Sequence, residues 1–92
     1  MIKSFNHKGL KAFFEKGTKK GINPNHADKL SVRLAILDAA ETLDQIDQPG
    51  FRLHELSGDL DGQHAIDVSG NVRLFFKFED GNVYLLDYGD YH

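Results

Sequence analysis

Arg52 and His54 in "FRLHEL", Arg73 in "VRLFFKF", and Asp90, Tyr91 and His92 in the terminal "DYH" carry side chains that can move protons or hold an anion. Imidazole is well matched to proton transfer near neutral pH, because its unperturbed pKa is about 6.5. Guanidinium offers a planar fork for an anion. The strand pattern is expected to gather these groups on one open sheet face, with Asp90 and His92 of like parity beside His54 and Arg73. Elsewhere the sequence does not bring imidazole, guanidinium, carboxylate and phenol together from neighbouring strands. A structural reading stands beside this one: Tyr91 fills a gap, His92 is a frayed end and His54 is half-exposed. On pattern alone the structural reading is the simpler of the two, and the residues by themselves leave both open. Gly89, just before the trio, permits a bulge or a break, so alternation does not fix the face that Tyr91 takes.

Other chemistries find less support. His7 and His26 fall at helix starts and read as surface residues. No His-x3-5-His pair is present, so no metal site is expected, and no cofactor either. Cysteine is absent, which removes disulfides and thiolate metal sites and fits a reducing compartment. "GDLDG" (58–62) has acids between its glycines, no basic residue and no helix after it, unlike a phosphate loop. It also lacks the distal Glu and helical flanks of a calcium loop. No apolar run reaches the roughly 18 residues of a membrane span, and "MIKSFNHKGL" lacks the apolar stretch of a signal peptide. The expectation is one cytoplasmic domain over residues 1–92, without membrane contact.

Charge is unevenly spread. Residues 1–33 carry eight Lys/Arg against two acids, whereas residues 34–92 carry three against twelve. The basic set Lys8, Lys11, Lys16, Lys19 and Lys20 can be the electrostatic footprint of a polyanion. On charge alone a solvated helix face is the simpler reading.

Positioning these groups falls to a short list of elements. "MIKSF" alternates like an edge strand. Leu10, Phe13 and Phe14 at i, i+3, i+4 predict a short amphipathic helix stopped by Gly17. Asn23-Pro24, or Asn25 as an alternative cap, opens a second helix, expected to run from about Pro24 to Asp44. It has one apolar stripe of Leu30, Leu34 and Leu37 and another of Val32, Ile36, Ala39 and Leu43, which predicts burial on two sides. From "DQPG" onward the pattern is strand and turn. "FRLHEL", "QHAIDVS", "VRLFFKF" and "VYLLDY" are joined by short turns, with a hairpin at Asp80-Gly81 or Gly81-Asn82. Such strands pair antiparallel. Period two puts Ile66, Val68, Leu74, Phe76 and Phe78 on the core face, and Arg73, Phe75 and Lys77 on an open one. The fold class is therefore α+β: two N-terminal helices packed on one face of a small twisted antiparallel sheet.

"LSGDLDGQHAIDV", then "VRLFF", then the terminal "DYH" resemble, in order and spacing, the HigB branch of the RelE-type toxins. These are bacterial plasmid-maintenance or host-inhibition killer toxins of type II toxin–antitoxin systems. The resemblance extends through "MIKSFNHKGLKAFFEKG" and "AILDAA" to essentially the whole chain. It implies a microbial ribonuclease-like fold. It also implies a ribosome-dependent endoribonuclease that cuts messenger RNA at the decoding site and inhibits translation. The implied partners are the ribosome, mRNA and a helix-turn-helix antitoxin (HigA-like), with operator DNA reached only through the antitoxin.

The family's functional residues fall on His54, Asp90, Tyr91 and His92, with Arg73 a further candidate. The chemistry of these residues suits a metal-free cleavage in which the RNA 2′-hydroxyl attacks. His54 and His92 would form the acid–base pair in undetermined order, and Arg73 would steady the phosphate. Asp90 would orient a histidine, while Tyr91 would stack on a base or donate its hydroxyl. The five lysines would then dock on ribosomal RNA. Three departures thin the positive charge near the scissile phosphate. Ser57 stands where some members have lysine, Asp59 and Asp61 occupy a loop that is often more basic, and Val72 replaces a common tryptophan. They motivate an alternative: a catalytically weakened toxin homologue that serves as an antitoxin-binding, co-repressor module.

Overall fold

The computed structural model describes residues 1–58 and 62–90. Helix α1 spans Lys8–Lys16. His7 caps it, its Nδ1 accepting the Leu10 N–H at 2.9 Å, and Gly17 ends it at φ +76°. Glycine suits that left-handed stop because it has no Cβ to clash. Asn23 caps a 3-10 turn, Pro24–His26, by accepting the Asn25 N–H. Helix α2 follows directly as Ala27–Ala39.

The second helix is shorter than its periodicity predicts. Ala40 is extended, and Thr42 starts a separate short helix, α3, Leu43–Ile46. The cause lies in "TLDQ". Thr42 Oγ1 accepts from the Gln45 N–H, and Gln45 Oε1 accepts from the Glu41 N–H at 2.6 Å. This close relative of a capping box nucleates a new helix start inside the apolar run. The second apolar stripe is also not a buried face. Ala27, Leu30, Leu34 and Leu37 are buried, whereas Val32 is 55% exposed, Ala39 is exposed, and Ile36 and Leu43 are half-buried.

The strands are β1 His54–Glu55, β2 Gln63–Ser69, β3 Val72–Glu79 and β4 Asn82–Asp90, in the order β1-β2-β3-β4 and all antiparallel. Asp80 and Gly81, both at positive φ, make the β3–β4 turn, with Glu79 paired to Asn82. Two positive-φ residues in a two-residue loop match the twist of the hairpin. Ile66, Val68, Leu74 and Phe76 are buried in one core with Leu10, Leu30, Leu34 and Leu37. Phe78 packs half-buried against it. The N-terminal segment lies parallel beside β4 through bridges at Ile2–Val83 and Phe5–Leu86, as an edge.

A bulge breaks β4. Phe75 pairs with Asp87 while Lys77 pairs with Tyr84, so one residue of β3 opposes Leu85 and Leu86. Leu85 sits at φ +57°. Ser4 stitches the bulge, its Oγ accepting from Leu85 N–H at 2.9 Å and its carbonyl from Leu86 N–H at 3.1 Å. The extra residue changes the phase of the rest of the strand.

Gly9 in α1 and Gly21 in the following loop cross backbone to backbone. A Cβ on Gly9 would overlap the Gly21 carbonyl. Gly9→Ala is therefore expected to destabilise the fold by about 1–3 kcal/mol, the usual range for overpacking, despite alanine's better helix propensity. Urea denaturation checks it, and an unchanged midpoint would mean the crossing relaxes freely.

Candidate active site

On the sheet face away from the helices, the register sets His54 beside Ala65, Ala65 beside Phe75, and Phe75 beside Asp87. The next row is Asp67, Arg73 and Gly89. Arg52, Leu53, His54, Asp67 and Arg73 line an open cleft of about 430 Å³. The sequence-predicted neighbours His54 and Arg73 thus meet at one cleft, and Arg52 joins them.

Asp67, which sequence reasoning missed, organises the cleft. Its Oδ1 lies 2.8 Å from Arg73 Nε and its Oδ2 lies 3.6 Å from Arg52 Nε. The Arg73 contact is ionic rather than an aligned hydrogen bond, since Nε makes no hydrogen bond of good geometry. The Asp67 backbone is gripped as well: its N–H donates to Phe51 O, and its carbonyl accepts from Arg33 Nε, both at 2.7 Å. A register shift between Asp67 and Ser69 frees this stretch from regular pairing. Arg33, counted in the sequence as one more basic charge, instead lies over the Phe51 ring at 4.4 Å. Burial lowers its pKa, and the Asp67 carboxylate opposes that by raising it.

Arg73 is held tightly. Its Nη1 donates to Gly70 O at 2.6 Å, and its side chain is 16% exposed. His54, by contrast, is exposed on a two-residue strand. Its Nδ1 lies 2.8 Å from the Arg52 carbonyl. A carbonyl only accepts, so Nδ1 carries the proton in both the neutral and the charged ring. Proton exchange by His54 therefore runs through Nε2. Ser57, the departure from the family lysine, is exposed just beyond.

Asp90 does not share the face of His54 and Arg73, contrary to the sequence expectation. Uninterrupted alternation from Tyr84 would bring it there. The bulge at Leu85-Leu86 shifts the phase, so Gly89 pairs with Arg73 and Asp90 with Val72, a residue packed against the core. The break that the sequence suggested at Gly89 lies four residues earlier. The signal was the apolar doublet in "VYLLDY", where strict alternation would have buried Asp87. Tyr91 and His92 lie outside the described residues, as do Asp59 and Asp61.

His7 and His26 are half-buried rather than free surface residues. His7 packs edge-on to Tyr88 at 5.3 Å, and His26 Nδ1 lies 2.6 Å from the Tyr88 hydroxyl, tying both helix starts to β4. Lys8, Lys11, Lys16, Lys19 and Lys20 are all exposed on α1 and the loop after it. Among the described residues, no group of three His, Asp or Glu side chains could hold a metal ion. Nor is any helix there long and apolar enough to cross a membrane.

The sequence pattern of the HigB-like toxins, described as the RelE-like toxin of type II toxin–antitoxin system HigB, matches residues 3–92. The chain is 42% identical over 92 residues to Endoribonuclease HigB of Proteus vulgaris, covering the whole of both. Among solved structures, YafQ from E. coli strain BL21(DE3) superposes with a TM-score of 0.67 at 17% identity, covering 98% of this chain and 91% of that one. The YoeB-YefM complex from Staphylococcus aureus gives 0.63 at 18% identity, covering 100% and 95%. These two likenesses show that the chain shares its fold with YafQ and YoeB.

Proposed function

Because the chain belongs to the HigB-like toxins, RelE-like toxins of type II toxin–antitoxin systems, we propose that it is a cytoplasmic, ribosome-dependent endoribonuclease. It cuts messenger RNA in the decoding site as a single domain and is neutralised by a helix-turn-helix antitoxin. The observation that carries the reading is the cleft where His54, its tautomer set by the Arg52 carbonyl, faces the Arg73–Asp67 pair. The Proteus vulgaris relative is itself named an endoribonuclease.

In the proposed reaction, the 2′-oxygen forms a bond to phosphorus and the bond to the 5′-oxygen breaks, with no metal ion. His54 Nε2 and His92 take the 2′-hydroxyl proton and return one to the 5′-oxygen. Arg73 stabilises the charge that builds on the phosphorane. Tyr91 stacks on a base beside the scissile phosphate, and Asp90 acts from the strand end by orienting a histidine.

Expression without an antitoxin tests the reading. Arrested growth, with cut message mapped by primer extension, supports it. Tight binding of a helix-turn-helix antitoxin with neither arrest nor cleavage supports instead the co-repressor module that Ser57 and the acidic loop motivate. Ribosome docking is assigned to Lys8, Lys11, Lys16, Lys19 and Lys20, whose contacts with ribosomal RNA would be salt-sensitive and sequence-blind. Lys19→Glu with Lys20→Glu is expected to reduce co-sedimentation with ribosomes without changing thermal stability. Unchanged co-sedimentation would return the lysines to a solvated face.

A further inference from the structure

Arg52 is built differently from the arginine it faces. Arg73 is 16% exposed and sits 2.8 Å from Asp67, whereas Arg52 is 79% exposed and 3.6 Å from the same carboxylate. A guanidinium serving as a structural counter-charge would be drawn in and held short. Asp67 already has that service from Arg73, and Arg33 bonds its carbonyl. Two guanidinia against one carboxylate leave an excess of positive charge at a cleft in the acidic part of the chain. The Arg52 contact runs through Nε, at the inner edge of the fork, and the side chain as a whole is largely open to solvent.

The backbone supports the same conclusion. Arg52 is at φ +53°, a conformation uncommon outside glycine and held only where the surroundings impose it. There the residue presents its carbonyl to His54 Nδ1 and its guanidinium to the same cleft. A single strained residue thus fixes the histidine and adds a cation next to it.

We propose that Arg52 is an RNA-binding residue, taking a backbone phosphate adjacent to the one at Arg73, with Asp67 setting the spacing between the two guanidinia. This deepens the endoribonuclease reading and rests on it for the identity of the polyanion. A phosphate accepts a guanidinium fork through two parallel hydrogen bonds, and successive phosphates of a single strand need separate cations along the path.

Arg52→Asn tests it, because asparagine tolerates positive φ and keeps the carbonyl while removing the charge. The first probe is a fluorescent single-stranded RNA decamer with 2′-O-methyl groups, which cannot be cut, titrated onto the purified chain at several salt concentrations. Arg52→Asn is expected to weaken binding about three- to tenfold at low salt and to flatten the slope of log K against log salt by about 0.7, one phosphate contact on a single strand. Arg52→Lys should restore the slope but only part of the affinity. The second readout is mRNA cleavage in a translating extract, where Arg52→Asn should raise the ribosome concentration for half-maximal rate more than it lowers the maximal rate. An unchanged slope, or no decamer binding by the unaltered chain, overturns the proposal. Absence of cleavage by the unaltered chain, with the slope change intact, would sink the endoribonuclease reading and leave the phosphate site standing.

Discussion

His54→Gln is expected to lower the rate of mRNA cleavage by about 10²–10⁴-fold, the range for removing a positioned general acid or base, while the melting temperature stays the same. The structural half follows from placement. His54 is exposed, on a strand only two residues long, and its side chain packs in no core. Glutamine can still donate to the Arg52 carbonyl, so the Arg52 backbone keeps its partner. What glutamine lacks is a nitrogen that both takes and gives a proton near neutral pH. Primer extension on a reporter message in a translating extract gives the rate. Far-ultraviolet circular dichroism and a thermal scan exclude unfolding as the cause. Cleavage within threefold of the unaltered chain would remove His54 from the proton-transfer steps and leave the cleft as a binding surface.

The parts of this fold set by local rules could be read from the sequence. Gly17 as a helix stop, Asn23-Pro24 as a start and Asp80-Gly81 as a two-residue turn all hold. So does the sorting of Leu74 and Phe76 from Arg73 and Phe75, because one face of a sheet backed by helices must be apolar. The misses come from signals that a period cannot carry. Thr42 and Gln45 end the long helix by a side-chain exchange, although the apolar positions continue past them. The β4 bulge depends on Ser4, some eighty residues away in sequence, satisfying two N–H groups that the ladder leaves unpaired. That bulge decides which face Asp90 takes, so the site's last member could not be placed by counting in twos. Asp67 was passed over for a related reason. As one acid inside "HAIDVS" it looks like an alternating polar residue. Its role appears only when β2 and β3 are in register and the 51–54 turn folds back over them.

The second large effect is expected at Arg73. Arg73→Ala should reduce cleavage by about 10²–10³-fold, as for removal of a preorganised donor to a developing anion. Arg73→Lys should recover little of it, because an ammonium cannot reproduce a fork held at once by Gly70 O and Asp67. Arg73→Ala also touches stability, since Asp67 loses its nearer cation at a site where its side chain is 18% exposed. Arg52 at 3.6 Å remains, so the loss should be about 1–2 kcal/mol rather than the 3–5 of a fully orphaned buried charge. A double-mutant cycle with Asp67→Asn separates the two effects. With the carboxylate neutralised, the stability cost of Arg73→Ala should shrink, because no charge is left unpaired. The loss of cleavage should persist in that background if Arg73 acts on the phosphate. Should neutralising Asp67 restore cleavage to the Arg73→Ala chain, then Arg73 serves to quiet Asp67 rather than to bind RNA, and the phosphate-stabilising role passes to Arg52.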